Sequence, residues 1–183
     1  RGNPKYKYEG DAHDWWVWHD AYPFEHFEKH VPRFMSEFGF QSFPGQEVLD
    51  YIMQGKELDL SHGAIRSHQK HQRGFKLIDE YMARDFPVPT KAEDYAYVSQ
   101  LVQAKGMRMG IEAHRRTKPY NMGTLYWQLN DCWPAISWSS IDYFGQWKAL
   151  HHAAKEAFEN VLISFEHADG MLQVYVVNDH LEA

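Results

Sequence analysis

The sequence predicts an α/β fold, in the form of the last part of an α/β barrel followed by the first hairpin of a β-domain. Two strand-like apolar runs, at residues 33–38 and 121–129, are each followed by helical patterns. Alternation of strands and helices is typical of a parallel sheet. Residues 159–183 change to alternating or β-branched runs on either side of Asp169 and Gly170. Because two buried strands cannot close a sheet, we expect the chain to be part of a longer polypeptide.

The first half of the chain is expected to contain two short strands and three helices. Residues 15–18 form a short strand-like run in an aromatic segment, and the run 33–38 ends at Gly39. Proline suits the first turn of a helix, so a brief helix is expected over 23–29. Apolar residues at helical spacing predict the other two helices. These helices are expected at 46–54 and 75–86, with a long polar loop at 55–74.

The second half is expected to begin with a long helix over 94–116. The run 121–129 is almost continuously apolar, which is typical of a strand buried on both faces. A short link at 138–143 then leads to a helix at 147–158. Asp-Gly between two β-type runs is a strong hairpin signal. The two hairpin strands are expected at 161–166 and 171–177.

Composition narrows the classes of function. Aromatic residues make up 16% of the chain, with 7 Trp and 11 Tyr, and rings with a polar edge suit either an aromatic core or stacking on sugars. The net charge is −6 without a basic run, so nucleic acid is not an expected partner. No stretch approaches the roughly 18 apolar residues of a membrane helix. The single Cys132 cannot form an internal disulfide, so cysteine usage does not fix the compartment.

Glu37 is the most informative carboxylate in the chain. It follows a short apolar run directly before Phe38 and Gly39, where an unpaired charge would be costly to bury. Two explanations are open from the residues alone. Glu37 either pairs with Arg33 as a structural ion pair or serves as a functional group.

Two long motifs resemble the β-mannosidases of glycoside hydrolase family 2. The first motif is RFMSEFGFQS at 33–42, and the second is MGTLYWQLND at 122–131. Shorter matches are GDAH at 10–13 and the segment 137–151. The resemblance covers residues 10 to 158. It implies a retaining glycosidase that hydrolyses terminal β-mannosyl bonds by double displacement.

The resemblance also implies an architecture. Residues 1–158 would be the C-terminal portion of a (β/α)8 TIM barrel, and residues 159–183 would be the first strands of a following β-sandwich domain. Glu37 would be the nucleophile at the end of barrel strand seven, and 122–129 would be strand eight. Retaining hydrolysis requires a second carboxyl group about 5–5.5 Å away, expected in an Asn-Glu pair on strand four. The sequence contains no Asn-Glu pair, so the isolated chain is expected to be inactive.

Other site residues follow from the same resemblance. Trp127 is expected to stack against the sugar, while Asn130 and Asp131 either bind sugar hydroxyls or cap a turn. His13, Trp15 and Trp18 lie in the loop expected to end strand six. The family often has a tyrosine there to orient the nucleophile, and this sequence offers indole N–H groups instead. Trp133 and Trp138 are expected to pack.

No cofactor or metal is expected. His68 and His71 are spaced to share a helix face, but zinc sites need three or four ligands. A surface loop, or a position at the mouth of the pocket, fits these two residues better.

Two other functions compete with a β-mannosidase. A non-catalytic carbohydrate-binding domain would need no carboxylate at the end of a strand. A family 2 β-galactosidase or β-glucuronidase would share the fold, although the segments 41–44 and 126–131 look specific to mannosidases. The expected partners are a mannose-containing glycoside and the remainder of the parent polypeptide. Localisation is left open between periplasmic or secreted in a bacterium and lysosomal in an animal.

Overall fold

A computed structural model describes residues 10–180 of the chain, so the outer ends of both predicted domains lie outside the described residues. The described part is a mixed α/β structure without long sheets. Its strands are β1 (Ala12–Asp14), β2 (Met35–Phe38), β3 (Val161–Ala168) and β4 (Met171–Asn178). Its helices are α1 (Trp16–Asp20), α2 (His26–Lys29), α3 (Gln46–Met53), α4 (Gly63–Ser67), α5 (Gly74–Asp85), α6 (Ala92–Arg116) and α7 (Ala149–Ala157). The predicted strand at 33–38 and the helices near 46–54, 75–86, 94–116 and 147–158 are confirmed.

Strands β1 and β2 pair in parallel, and their register places His13 beside Glu37. The side-chain hydroxyl of Ser36 strengthens this pairing, because it donates to the Asp11 carboxylate at 2.6 Å and to the Ala12 carbonyl at 3.1 Å. The carboxyl ends of both strands therefore lie at the same edge.

The segment 121–129 is not the regular strand that its apolar character predicts. It runs beside β2 and forms a single parallel bridge, between Thr124 and Met35. Leu125 donates to the Met35 carbonyl, and Trp127 donates to the Phe38 carbonyl. A step of two residues along 121–129 therefore matches a step of three residues along β2. This uneven spacing interrupts the regular ladder. The segment nevertheless lies where the predicted strand was expected, next to β2.

Two further expectations are wrong at the level of local structure. Residues 16–18 lie in helix α1 rather than in a strand, and the Asp14 carboxylate accepts the Trp16 N–H at 3.1 Å where the helix begins. The loop predicted at 55–74 contains α4, which is capped by the His62 ring through one hydrogen bond accepted from the Ala64 N–H at 3.1 Å. Histidine is an unusual cap, so no familiar helix-start signal marks this helix in the sequence.

The core is largely aromatic and lies between β2 and the helices α2, α5 and α6. Helix α6 passes close to β2 at Gly110, where an added Cβ would lie 2.6 Å from the Phe38 ring. A larger residue at position 110 would require the buried Phe38 ring to shift. The principal buried aromatic residues are Trp18, Phe24, Phe27, Phe38, Phe40, Phe43 and Tyr81.

The predicted hairpin is confirmed. Strands β3 and β4 pair antiparallel from Val161–Asn178 to Ala168–Met171. Asp169 and Gly170 both have positive φ angles, of 53° and 73°, as a two-residue hairpin turn of this type requires. One face of the hairpin packs on α6 through Leu162 and Ser164. Within residues 10–180, no helix is long and apolar enough to cross a membrane.

Candidate active site

Glu37 lies near the end of β2, and both of its carboxylate oxygens contact side chains of the neighbouring segment. The indole N–H of Trp15 donates to Oε1 at 2.8 Å. The Nε2 atom of His13 lies 3.5 Å from Oε2. Arg33 turns elsewhere, with its guanidinium 5.5 Å from the centre of the Tyr120 ring. The Arg33 guanidinium is therefore directed at Tyr120 rather than at Glu37.

The positions of His13 and Trp15 follow from local structure. His13 is on β1 in register with Glu37, and Trp15 comes just after β1 at the beginning of α1. The Trp15 ring is supported from behind by Trp138, at 6.1 Å between centroids in an edge-on arrangement. An indole held in this way is a fixed donor, which keeps the Glu37 carboxylate in one orientation.

Trp15→Phe removes only the indole donor and keeps an aromatic ring. A hydrogen bond to a charged group contributes about 1.5–3 kcal/mol, so we expect any reaction of Glu37 as a nucleophile to slow by about 10- to 100-fold. The rate of covalent labelling of Glu37 by an activated glycosyl fluoride measures this effect. Trp16→Phe, one residue further along, is the matched control. A labelling rate unchanged in Trp15→Phe contradicts a positioning role for this indole.

The backbone of Trp127 is hydrogen-bonded to Phe38, the residue after Glu37. Its N–H donates to the Phe38 carbonyl at 2.8 Å, and an added Cβ at Gly39 would lie 2.3 Å from the Trp127 carbonyl oxygen. The peptide bond between Trp127 and Gln128 is cis. Trp127 is 45% exposed, so part of this large residue is open to solvent.

Asn130 and Asp131 have different surroundings. Asn130 is exposed, which leaves it accessible to a ligand. The Asp131 carboxylate is buried and accepts from Ser137 at 2.6 Å and from Ser139 at 2.5 Å. Lys70 lies 3.3 Å from its other oxygen. These contacts occupy Asp131 within the protein, which fits the turn-capping alternative rather than binding of sugar hydroxyls.

Trp18 is fully buried, so its ring cannot stack on a ligand in this structure. It packs edge-on against Phe40 at 5.0 Å and against Trp138 at 5.7 Å. Trp138 packs as expected, while Trp133 is partly exposed and stacks on His68 at 5.1 Å. Trp18 and Trp138 therefore support the site from below.

His68 and His71 have different contacts. The Nδ1 atom of His68 lies 2.6 Å from the Pro134 carbonyl, and His71 packs against Trp18 and His19. Burial lowers the pKa of His71, and nearby His19 and Arg73 lower it further. In the described part of the chain, no group of three or more His, Cys, Asp or Glu residues could hold a metal ion.

A buried polar network under the site was not predicted from the sequence. Gln103 of α6 donates to the Phe40 carbonyl at 2.7 Å, and its side-chain oxygen accepts from Ser42 at 2.7 Å. Lys148 is buried with Nζ 3.4 Å from the carbonyls of Ser42 and Ser137. Burial lowers the pKa of Lys148 to about 7. The one available signal was a glutamine within the buried stripe of α6.

His114 of α6 secures the segment beside β2. Its Nδ1 atom is 2.8 Å from the Thr124 hydroxyl, and its ring packs on Phe38 at 5.1 Å. Burial lowers the pKa of His114 to about 3. Below about pH 6.5 the unfolded chain binds a proton at this residue, whereas the folded chain does not until about pH 3. Acid therefore favours the unfolded state across this window.

His114→Gln is expected to flatten the acid side of the stability curve. The His114 proton alone should lower the free energy of unfolding by about 1.4 kcal/mol for each pH unit below about 6.5. Urea unfolding of both proteins between pH 6.5 and 4 measures the two slopes. The exposed His167→Gln is the control and should follow the wild type. Parallel slopes for wild type and His114→Gln would show that His114 does not stay neutral when folded.

The chain is similar in sequence to one group of known enzymes. No family model matches the chain. It is 34% identical over 168 residues to β-mannosidase B of Aspergillus niger, and 33% identical to that of Aspergillus oryzae. Each match covers 87% of this chain and 20% of the relative, so the chain spans about a fifth of their length.

A solved β-mannosidase structure also resembles this chain. A crystal structure of β-D-mannosidase from Dictyoglomus thermophilum matches with a TM-score of 0.87 and 35% identity, over 94% of this chain and 22% of that one. An exo-chitosanase from Amycolatopsis orientalis, in complex with PNP-β-D-glucosamine, matches with a TM-score of 0.67. It is 19% identical, over 86% of this chain and 20% of that one. At that identity the second likeness concerns the fold alone.

Proposed function

By sequence and by fold this chain belongs with the β-mannosidases of glycoside hydrolase family 2, and from this premise we propose that it supplies the nucleophile of a retaining enzyme that removes terminal β-mannosyl groups. One observation carries the proposal. Glu37 lies near the end of β2, where the Trp15 indole N–H donates to one carboxylate oxygen and His13 Nε2 lies 3.5 Å from the other, and the exposed Trp127 follows on the segment bonded to β2. An ionised, oriented carboxylate next to an aromatic platform is the arrangement that a glycosyl-enzyme mechanism needs.

In the proposed reaction the Glu37 carboxylate attacks the anomeric carbon of the mannosyl group. The bond to the leaving oxygen breaks as a carboxylic acid elsewhere protonates that oxygen, and an ester joins the sugar to Glu37. Water then attacks the same carbon, gives its proton to the second carboxylate and releases Glu37. Two inversions return the original configuration. The Trp15 indole N–H keeps the attacking Glu37 carboxylate in position, and the Trp127 ring stacks against the sugar ring.

The acid/base group is proposed to lie in the remainder of a longer polypeptide. A strand-end Asn-Glu pair is the form that the family resemblance implies, and this sequence has none. The segment 121–129 bonds to β2, and its last two residues also bond to the segment 138–141.

The finer architecture is part of the same proposal. Parallel β1 and β2, followed by a third parallel segment at Thr124, support residues 1–158 as the C-terminal portion of a (β/α)8 barrel. Residues 159–183 are proposed to begin a β-sandwich domain, because the outer face of the hairpin is apolar and exposed. The side chains on that face are Val161, Ile163, Phe165, Leu172, Val174 and Val176. Such a face is usually covered in a folded domain.

The two competing functions are less well supported. A carbohydrate-binding domain has no use for a carboxylate whose orientation is fixed by Trp15. A β-galactosidase or β-glucuronidase would share the fold, but the relatives at 33–34% identity are named β-mannosidases. We therefore propose a mannose-containing glycoside as the substrate.

A chimera tests this function. Residues 10–158 would replace the matching segment of the Dictyoglomus thermophilum enzyme, which keeps its other strands. We expect hydrolysis of 4-nitrophenyl β-mannoside with retained configuration by NMR, and faster than hydrolysis of the β-galactoside or β-glucuronide. A folded chimera that prefers either of the other two glycosides, or that inverts the configuration, would overturn the proposal.

A further inference from the structure

Asp14 lies between the two residues that contact Glu37. On one side of it, Nε2 of His13 is 3.5 Å from Oε2 of Glu37. On the other side, the Trp15 indole N–H donates to Oε1 at 2.8 Å. Successive side chains of a strand point to opposite faces, so Asp14 in β1 faces the other way from His13. Asp14 is buried, and a buried charge is costly unless other groups pair with it.

The Asp14 carboxylate joins the beginnings of two helices. Its Oδ1 atom accepts the N–H of Trp16, the first residue of α1, at 3.1 Å. Its Oδ2 atom lies 3.1 Å from Nε2 of His26, the first residue of α2. The side chains of Asp14 and His26 are only 8% and 11% exposed. Asp14 therefore connects the turn that follows β1 to α2.

The His26 ring is held by stacking on two other rings. Its centroid is 5.2 Å from that of Tyr22, with 14° between the planes, and 4.1 Å from that of His30, with 19° between the planes. The next residue, Phe27, is fully buried and anchors α2 in the core. A ring packed in this way has few other orientations. His26 is therefore a fixed contact for the Asp14 carboxylate.

The beginning of α1 depends on this contact. Helix α1 has five residues, and a helix this short is marginal on its own. Val17 and Trp18 are buried in the core, whereas Trp15 and Trp16 are only partly buried. Trp15 is the N-cap residue but makes no side-chain cap hydrogen bond, and the Asp14 carboxylate accepts the Trp16 N–H in its place. The backbone that carries the Trp15 indole is thus fixed on its inner side by Asp14.

We propose that Asp14 and His26 are positioning residues that act on Glu37 through Trp15. The pair fixes the turn between β1 and α1, and this keeps the Trp15 indole N–H within hydrogen-bond distance of the Glu37 carboxylate. The effect on a reaction rests on the proposed function, because the orientation of Glu37 matters only if Glu37 attacks a sugar. The contact between Trp15 and Glu37 can be measured without that reaction.

The Trp15 indole N–H signal in NMR spectra of the 183-residue chain tests the positioning. Its loss in Trp15→Phe assigns the signal, and Glu37→Ala gives its position without the hydrogen bond. His26→Phe keeps an aromatic ring but removes the nitrogen that contacts Asp14. We expect His26→Phe and Asp14→Ala each to move the signal at least halfway to its position in Glu37→Ala. If Asp14→Ala does not fold, His26→Phe decides. The exposed His30→Phe is the control and should leave the signal in place.

A double-mutant cycle tests the effect on the proposed reaction. The rate at which an activated glycosyl fluoride labels Glu37 would be measured in the chimera with the Dictyoglomus thermophilum enzyme. We expect His26→Phe to slow labelling by about 3- to 10-fold, because a weakened hydrogen bond to a charged group keeps part of its contribution. Adding His26→Phe to Trp15→Phe should change the rate by less than about twofold, because the bond through which His26 acts is already gone.

Two results would overturn this inference. One is a Trp15 signal that stays in its wild-type position in folded His26→Phe. The other is a double variant in which the effects of His26→Phe and Trp15→Phe multiply, because His26 would then act independently of Trp15. A chimera whose Glu37 is never labelled, although the signal moves as expected in the chain, would refute the proposed hydrolysis and support the positioning of Trp15 by Asp14 and His26.

Discussion

Glu37→Gln is expected to lower turnover of 4-nitrophenyl β-mannoside by the chimera about 10⁴-fold or more, as loss of a covalent nucleophile does in other enzymes. Glutamine has nearly the same shape, and its amide oxygen can still accept the Trp15 N–H that now lies 2.8 Å from Glu37. Folding should therefore change little while the attacking carboxylate is lost. Steady-state rates measure the loss, and thermal unfolding checks the fold.

The control for this loss is Glu47→Gln, at an exposed position on α3, which should keep wild-type turnover. Glu37→Ala with added azide gives a second readout, because azide can enter the vacated space and attack the same carbon. The expected product is the α-mannosyl azide, formed by a single inversion. Turnover of Glu37→Gln within tenfold of wild type would show that another group is the nucleophile.

Gly39→Ala is expected to damage both stability and reaction. The added Cβ would lie 2.3 Å from the Trp127 carbonyl oxygen and 3.1 Å from the Trp15 ring. Backbone cannot yield as a flexible side chain does, so the segment carrying Trp127 must move away from β2. Overpacking of this kind costs about 1–3 kcal/mol. Urea unfolding of the chain measures that cost, and we expect labelling of Glu37 to fall as its two neighbours separate.

Gly63→Ala provides the matched comparison. No atom lies within 4 Å of a Cβ built at Gly63, which begins α4, so alanine should be tolerated or should stabilise by up to about 1 kcal/mol. If Gly39→Ala were as stable as Gly63→Ala and labelled at the wild-type rate, the close approach of Trp127 to β2 would not exist in solution.

Much of the fold could be predicted because the helices and the hairpin carry local signals. The apolar spacing of α5 and α6 and the Asp169-Gly170 turn each depend on residues close in sequence. The predictions that are wrong depend on contacts between specific atoms. The Asp14 carboxylate accepts the Trp16 N–H where α1 begins, and uneven bonding to β2 interrupts 121–129 as a strand.

The candidate site likewise contains residues that local sequence predicts and contacts that it does not. Glu37 stands out from its own motif, and an indole donor from the aromatic loop was expected near it. The pairing of His13 with Glu37 depends on the register of two strands, which the sequence does not state. The burial of Asp131 by Ser137 and Ser139 depends on how a loop folds back on itself. No local pattern distinguishes an aspartate that binds sugar from one that holds a loop.

Covalent labelling of Glu37 tests the central claim most directly. 2-Deoxy-2-fluoro-β-mannosyl fluoride carries a leaving group that departs without a general acid, so fluoride is released as an ester forms with the nucleophile. Mass spectrometry of the treated chimera, after digestion, locates the added sugar. We predict a single fluoromannosyl ester on the peptide containing Glu37, absent in Glu37→Gln. Labelling of a different carboxylate, or the same labelling of Glu37→Gln, would contradict the account.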